Sequence, residues 1–196
     1  MMASKMSLLR RVDVTRSVAA LMDVLQFDRD DQHFRDTPRR VACMYEEFTQ
    51  GYDAVATAEI LSHMFESSND EMIVLPNIDA VSLCPHHLLP ILYTAHVGYV
   101  PQGRVLGLSK IPRLVKHLAA KPCIQEDLVT ESAQLLCQAL VPAGVMDVRD
   151  GQHLCMRARG IREKDSITRT SKALGVFLTN DACRSEFLAL INSGRS

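Results

Sequence analysis

The chain has 196 residues, 47% hydrophobic and 23% charged, with 22 Lys and Arg against 23 Asp and Glu and a net charge of −1. That length suits one ordinary domain or a compact core with a helical extension, and the composition excludes a disordered, collagen-like or low-complexity chain. No apolar run approaches the roughly 18 residues of a bilayer span, and the lack of a basic excess speaks against nucleic-acid binding by counterion release, so neither a membrane nor a nucleic acid is an expected partner.

Met1–Ser7 lack the apolar core and cleavage site of a secretory leader, and Arg10, Arg11 and Arg16 read as part of an ordinary first helix. A reducing, cytoplasmic setting is therefore expected, with the six cysteines as buried thiols or metal ligands. Val14, Val18, Leu21, Met22 and Leu25 recur at helical spacing and predict an amphipathic helix over 8–27. Asp28-Arg29-Asp30-Asp31 reads as a loop. Thr37 as N-cap, with Pro38 at the first helical position, opens a second helix through Val41, Met44, Tyr45 and Phe48 to Gly51. A shorter helix is expected over 55–65. Ser67-Ser68-Asn69-Asp70 then breaks the pattern and divides a helical N-terminal extension, 1–68, from the remainder, 69–196.

From there strands are expected over 72–79 and 91–100, bounded by Pro90 and the turn Pro101-Gln102-Gly103, with a short continuation over 105–108. Helices over 109–120 and 124–141 follow, then strands over 145–159 and 167–178 and a final helix over 181–192. Strands and helices in segregated runs, ββ, αα, ββ, α, indicate an α+β domain with an antiparallel sheet.

Cys84-Pro85-His86-His87 follows one strand, and His153-Leu154-Cys155 falls within the strand expected over 145–159. Thiolate and imidazole are the ligands zinc prefers, and Cys84 and His87 are spaced so that one loop supplies two of them. Cys155 is the third candidate. Three protein ligands with an open fourth position form the catalytic zinc pattern, whereas a structural site would need four. Cys43, Cys123, Cys137 and Cys183 lie among apolar residues and read as core thiols. His86 adjoins a ligand, and strand alternation puts His153 on the Cys155 face, so each is a candidate proton donor or acceptor. His33, His63, His96 and His117 have no comparable neighbours.

Ser109-Lys110-Ile111-Pro112-Arg113 opens a helix with Ser109 as N-cap. Lys110 and Arg113 oppose the helix dipole unless an anion binds there, which makes the segment a candidate phosphate site. Arg159 lies on the His153 face by the same alternation, with Arg157 as an alternative. Gln125-Glu126-Asp127 opens the next helix, where acidic residues also suit the dipole.

Ser82-Leu83-Cys84-Pro85-His86-His87, Gly98-Tyr99-Val100-Pro101, Leu106-Gly107-Leu108-Ser109-Lys110-Ile111-Pro112-Arg113, Gln125-Glu126-Asp127-Leu128 and the run from His153 to Gly160 together resemble GTP cyclohydrolase I, in order and spacing. Thr37-Pro38-Arg39-Arg40 and Leu174-Gly175-Val176-Phe177 add to the likeness, which spans about 15 to 192. The resemblance implies a tunnelling fold with a helical N-terminal extension and a catalytic domain over 69–196. It implies a homodecamer of two pentameric rings with active sites between subunits. The implied reaction converts GTP and water to formate and 7,8-dihydroneopterin triphosphate. By position, Cys84, His87 and Cys155 would hold Zn2+, with His86 and His153 as the acid/base pair. Gln125 and Glu126 would grip the guanine edge, Lys110, Arg113 and Arg159 the triphosphate, and Ser109 would assist the ribose rearrangement. Arg40 would join the phosphate site from a neighbouring subunit.

Two positions depart from the family pattern. Pro85 stands where a glutamate is usual, and Asp127 where an arginine is common. The missing carboxylate leaves open a same-fold enzyme that stops at the ring-opened intermediate or takes another purine nucleotide. A non-catalytic GTP-binding oligomer is the remaining alternative.

Overall fold

The computed structural model describes residues 8–193, and its helices and strands differ from the expected ones at several ends and by short additional elements at Met64–Glu66, Leu154–Arg157 and Val176–Thr179. The reading of Met1–Ser7 lies outside the described residues. The N-terminal part is α1 (Leu8–Val24), α2 (Thr37–Glu47), a short 3-10 turn (Gln50–Tyr52) and α3 (Ala54–Leu61). Then come β1 (Met64–Glu66), β2 (Ile73–Leu83), β3 (Pro90–Val100), β4 (Arg104–Leu106), α4 (Lys110–Ala119) and α5 (Gln125–Leu140). The chain closes with β5 (Gly144–His153), α6 (Leu154–Arg157), β6 (Thr168–Gly175), α7 (Val176–Thr179) and α8 (Asp181–Asn192). No described helix is long and apolar enough to cross a membrane.

The main sheet has the order β2-β3-β5-β6 and is antiparallel throughout, while β1 pairs with β4 in a separate two-stranded ribbon. Side chains of a strand alternate between faces, and that period sorts the core. Tyr93, Ala95, Val97 and Tyr99 of β3 and Val145 of β5 pack with Ile111, Leu114 and Leu118 of α4 and Leu128 and Leu136 of α5. On the opposite face Met146 and Val148 pack with Phe177 of α7 and Phe187 and Ile191 of α8. The chain is thus an α+β structure with a helical layer on each side of the sheet.

The α4–α5 layer also covers an ion pair. Arg149 donates to Asp147 through Nε (3.1 Å) and Nη2 (2.9 Å), and neither side chain reaches solvent. Both share the parity of Val145, so the alternation of β5 puts them beneath these helices. Nη1 of Arg149 has no hydrogen-bond partner among the described residues.

Several expectations are corrected by long-range pairing. The strand predicted over 72–79 runs on to Leu83, because Ala80, Val81, Ser82 and Leu83 pair with Tyr93, Leu92, Ile91 and Pro90. It accommodates Pro76 at a bulge between Leu75 and Ile78, where Asn77 takes a left-handed φ of 58°. The helix predicted over 55–65 stops at Leu61, and Met64–Glu66 form β1. The short strand predicted over 105–108 is Arg104–Leu106. The strand predicted over 145–159 ends at His153, where β5 has no further partner on β3, and Leu154–Arg157 coil into α6. Cys155 therefore sits on a helical turn, and the alternation argument for Cys155, Arg157 and Arg159 fails. The strand predicted over 167–178 ends at Gly175, whose φ of 61° starts α7. The side chains of Thr37 and Ser109 do not cap: Thr37 is already helical after Asp36, and Ser109 has helical backbone angles with no cap bond.

Candidate metal centre and active site

The sheet ends where Leu83 pairs with Pro90 and Ile91 pairs with His153. The β2–β3 loop and the chain leaving β5 meet at this edge. The loop is tight: the Cys84 N–H donates to Leu89 O and the Leu88 N–H to Cys84 O, both at 2.8 Å, with Leu88 left-handed at φ 54°. That turn buries the Cys84 thiol and leaves the rings of His86 and His87 exposed above it. From the other side α6 presents Cys155, half-buried.

The ligand atoms of Cys84, His87 and Cys155 all lie within 4.8 Å of one another. Cys84 Sγ is 3.8 Å from His87 Nδ1 and 3.7 Å from His86 Nδ1. Donors around a tetrahedral zinc with ordinary Zn–S and Zn–N bonds stand roughly 3.4–3.8 Å apart. The Cys₂His set fits zinc in its chemistry, the Cys84–His87 separation matches that spacing, and the group holds three donors, with no fourth protein ligand closing it among the described residues. Burial, followed by the hydrogen-bonded Cys84 thiol, holds the Cys155 thiol above its ordinary range. A divalent cation bound beside Cys155 would reverse that preference for the neutral thiol.

Gln125, at the start of α5, is 2% exposed. Its amide Nε2 donates to Arg149 O (3.0 Å) and Thr168 O (2.9 Å), and its Oε1 is 3.1 Å from His153 Nε2. Gly151 makes room for this arrangement, since a β-carbon there would overlap Gln125 Oε1 and approach Tyr93 Cε1 to 2.9 Å. Burial draws the His153 pKa down, and the negative charge of Glu126 opposes it. Glu126 is exposed on the first turn of α5. Sequence reasoning missed Tyr93. Its hydroxyl is buried with no partner among the described residues, and burial, then the field of Cys123, pushes its pKa well above the usual phenol range. It also missed the Asp147–Arg149 pair, although two charged residues sharing the Val145 face of a strand were a readable signal.

Two clusters thus form at one sheet end: Cys84, His86, His87 and Cys155 in the first, and Gln125, Glu126 and His153 in the second, joined through the two-residue step from His153 to Cys155. Ser109, Lys110 and Arg113 lie at the start of α4, and Arg159 is exposed beyond α6. The side chains of Lys110, Arg113 and Arg159 make no hydrogen bond or ion pair among the described residues, which leaves their charges available to an anion. Arg157 instead donates to Gln152. Arg40 sits on α2, 3.5 Å from Asp36, and no hydrogen bond or ion pair among the described residues joins it to either cluster. Cys123, Cys137 and Cys183 pack half-buried against the two core clusters, and burial raises the thiol pKa of Cys123 and Cys183.

In comparisons with known proteins, the family GTP cyclohydrolase I matches residues 14–192. The protein named GTP cyclohydrolase 1 from Campylobacter jejuni subsp. jejuni serotype O:23/36 (strain 81-176) is 40% identical over 178 residues, 91% of this chain and 94% of that protein. The one from Sulfurihydrogenibium sp. (strain YO3AOP1) is 43% identical over 182 residues, 92% of this chain and 94% of that protein. A solved structure, the archaeosine synthase QueF-Like in its apo form, has a TM-score of 0.46 at 16% identity over 56% of this chain and 97% of that one.

Proposed function

The chain belongs to the GTP cyclohydrolase I family of enzymes, whose substrate is GTP, and we propose that it opens the guanine imidazole ring, releases formate and rearranges the remainder to 7,8-dihydroneopterin triphosphate. The observation that carries this reading is the grouping of Cys84, His87 and Cys155 within 4.8 Å. These three residues would hold Zn2+, which when bound supplies the Lewis acidity that makes water a nucleophile near neutral pH.

The chain's own residues do the rest. His86 and His153 exchange protons with the imidazole nitrogens as water adds at C8 and the C8–N9 bond breaks, and again as a second water releases formate. Glu126 accepts hydrogen bonds from the guanine edge, a role its exposed position on the first turn of α5 supports. Lys110, Arg113 and Arg159 hold the triphosphate, supported by their unpaired side chains, and Ser109 assists the ribose rearrangement. No redox cofactor is required by that sequence of hydrolysis and isomerisation.

The exposed imidazoles of His86 and His87 support a site completed by a neighbouring subunit, with Arg40 entering from that neighbour. The sheet edges β2 and β6, of 11 and 8 residues, support continuation of the sheet across subunits. We assign a tunnelling fold, with a helical extension over 1–68 and a catalytic domain over 69–196, assembled as a homodecamer of two pentamers. Thiol ligands need a reducing setting, which favours the cytoplasm.

Pro85 favours a second reading, in which the missing carboxylate halts the reaction at the ring-opened intermediate. Incubation with GTP separates the two. Formate in step with a product that becomes a fluorescent pterin on oxidation is the expected result; a formamidopyrimidine alone contradicts it.

A further inference from the structure

Gln125 has four hydrogen-bonding capacities, two N–H donors and two lone pairs on Oε1, and three of them, both donors included, are spent inside the protein. Its Nε2 points at two backbone carbonyls, Arg149 O and Thr168 O. Carbonyl oxygens only accept, so the amide has one possible orientation: the NH2 group faces them and Oε1 faces His153. An amide oxygen also only accepts. The 3.1 Å contact with His153 Nε2 therefore requires that nitrogen to carry the hydrogen. The neutral imidazole is then the Nε2–H tautomer, and Nδ1 is the nitrogen left for chemistry. Glycine at 151 is part of the device, because a β-carbon there would drive into Gln125 Oε1 and stand 3.1 Å from Cδ.

We infer that Gln125 is a positioning residue for His153, with Gly151 as its seat, and that its side chain does not grip the substrate. This rests on the function proposed above, in which His153 moves protons during ring hydrolysis. The carbonyls of Arg149 and Thr168 belong to adjacent strands, paired Arg149 to Thr170 and Gly151 to Thr168. The orientation of a proton-transfer group is thus set by the register of β5 against β6. The 2% exposure of Gln125 leaves little of it for a nucleobase to touch.

The test uses the zinc-loaded enzyme in the parent form and as Gln125→Met and Gly151→Ala, the second variant covering a failure of the first to fold. For each, kcat and KM for GTP, equilibrium GTP affinity, zinc content and the spectrum of 15N-histidine-labelled protein are measured, with His153→Gln assigning the resonance. Both variants are expected to lose about 10²-fold or more in kcat while KM and GTP affinity change by less than about threefold. Zinc content is unchanged, and the parent shows a protonated Nε2 at His153 that the variants lose. A raised KM with kcat preserved, together with lost preference for GTP over inosine triphosphate, identifies Gln125 as a substrate clamp and overturns the inference. A parent His153 protonated at Nδ1 and bare at Nε2 also overturns it. A parent enzyme that yields no pterin from GTP instead overturns the functional reading beneath, which keeps the two failures distinct.

Discussion

At the scale of single residues, the buried charges dominate. Asp147 and Arg149 are both removed from solvent and joined by two hydrogen bonds. Deleting one member of such a pair leaves an uncompensated charge in a low-dielectric layer, whereas replacing both with apolar residues removes the desolvation cost as well. Asp147→Asn is therefore expected to destabilise the fold by about 3–5 kcal/mol, measured by urea denaturation at fixed protein concentration. The double variant Asp147→Leu with Arg149→Met should recover most of that loss. A single variant within about 1 kcal/mol of the parent would mean that the pair acts like an exposed one. Cys84-x-x-His87 was legible from residue type and spacing alone. The internal use of Gln125 was not, since its partners lie 24, 28 and 43 residues away.

Elements bring these residues together, and their ends were harder to read than their existence. Helical spacing marked α1, cap and proline signals marked α2 and α4, and α8 lies where it was expected. The ends of β2 and β5 were missed because a strand stops where its partner stops, which no local pattern records. β1 is three residues long, too short to show any period. Cys155 illustrates the difference: its ligand chemistry was readable, but its place on a helical turn depended on β5 having no partner beyond His153. Packing of α8 on the sheet offers a test at this scale. A β-carbon at Gly98 would stand 2.7 Å from two carbons of the Phe187 ring and 3.3 Å from Val74 Cγ2. Gly98→Ala should lower stability by about 1–3 kcal/mol through overpacking. Because Gly98 faces α8, away from the metal loop, zinc content and GTP turnover should be unchanged. A stability equal to that of the parent would show that α8 yields at this contact.

For the whole molecule, the fold's task is to carry a loop between β2 and β3 to the turn after β5, 71 positions apart between Cys84 and Cys155. Three antiparallel strands in register accomplish this by ending together. With a net charge of −1, the proposed triphosphate site would have to be built from local cations. In the proposed function, Cys84, His87 and Cys155 hold one ion on which the hydrolysis of GTP depends. The most direct measurement is zinc per chain determined alongside GTP turnover in the parent and in Cys155→Ala. One zinc per chain with turnover in the parent, and both lost in the variant, is the predicted result; full zinc in Cys155→Ala, or undiminished turnover after complete zinc removal, would contradict it.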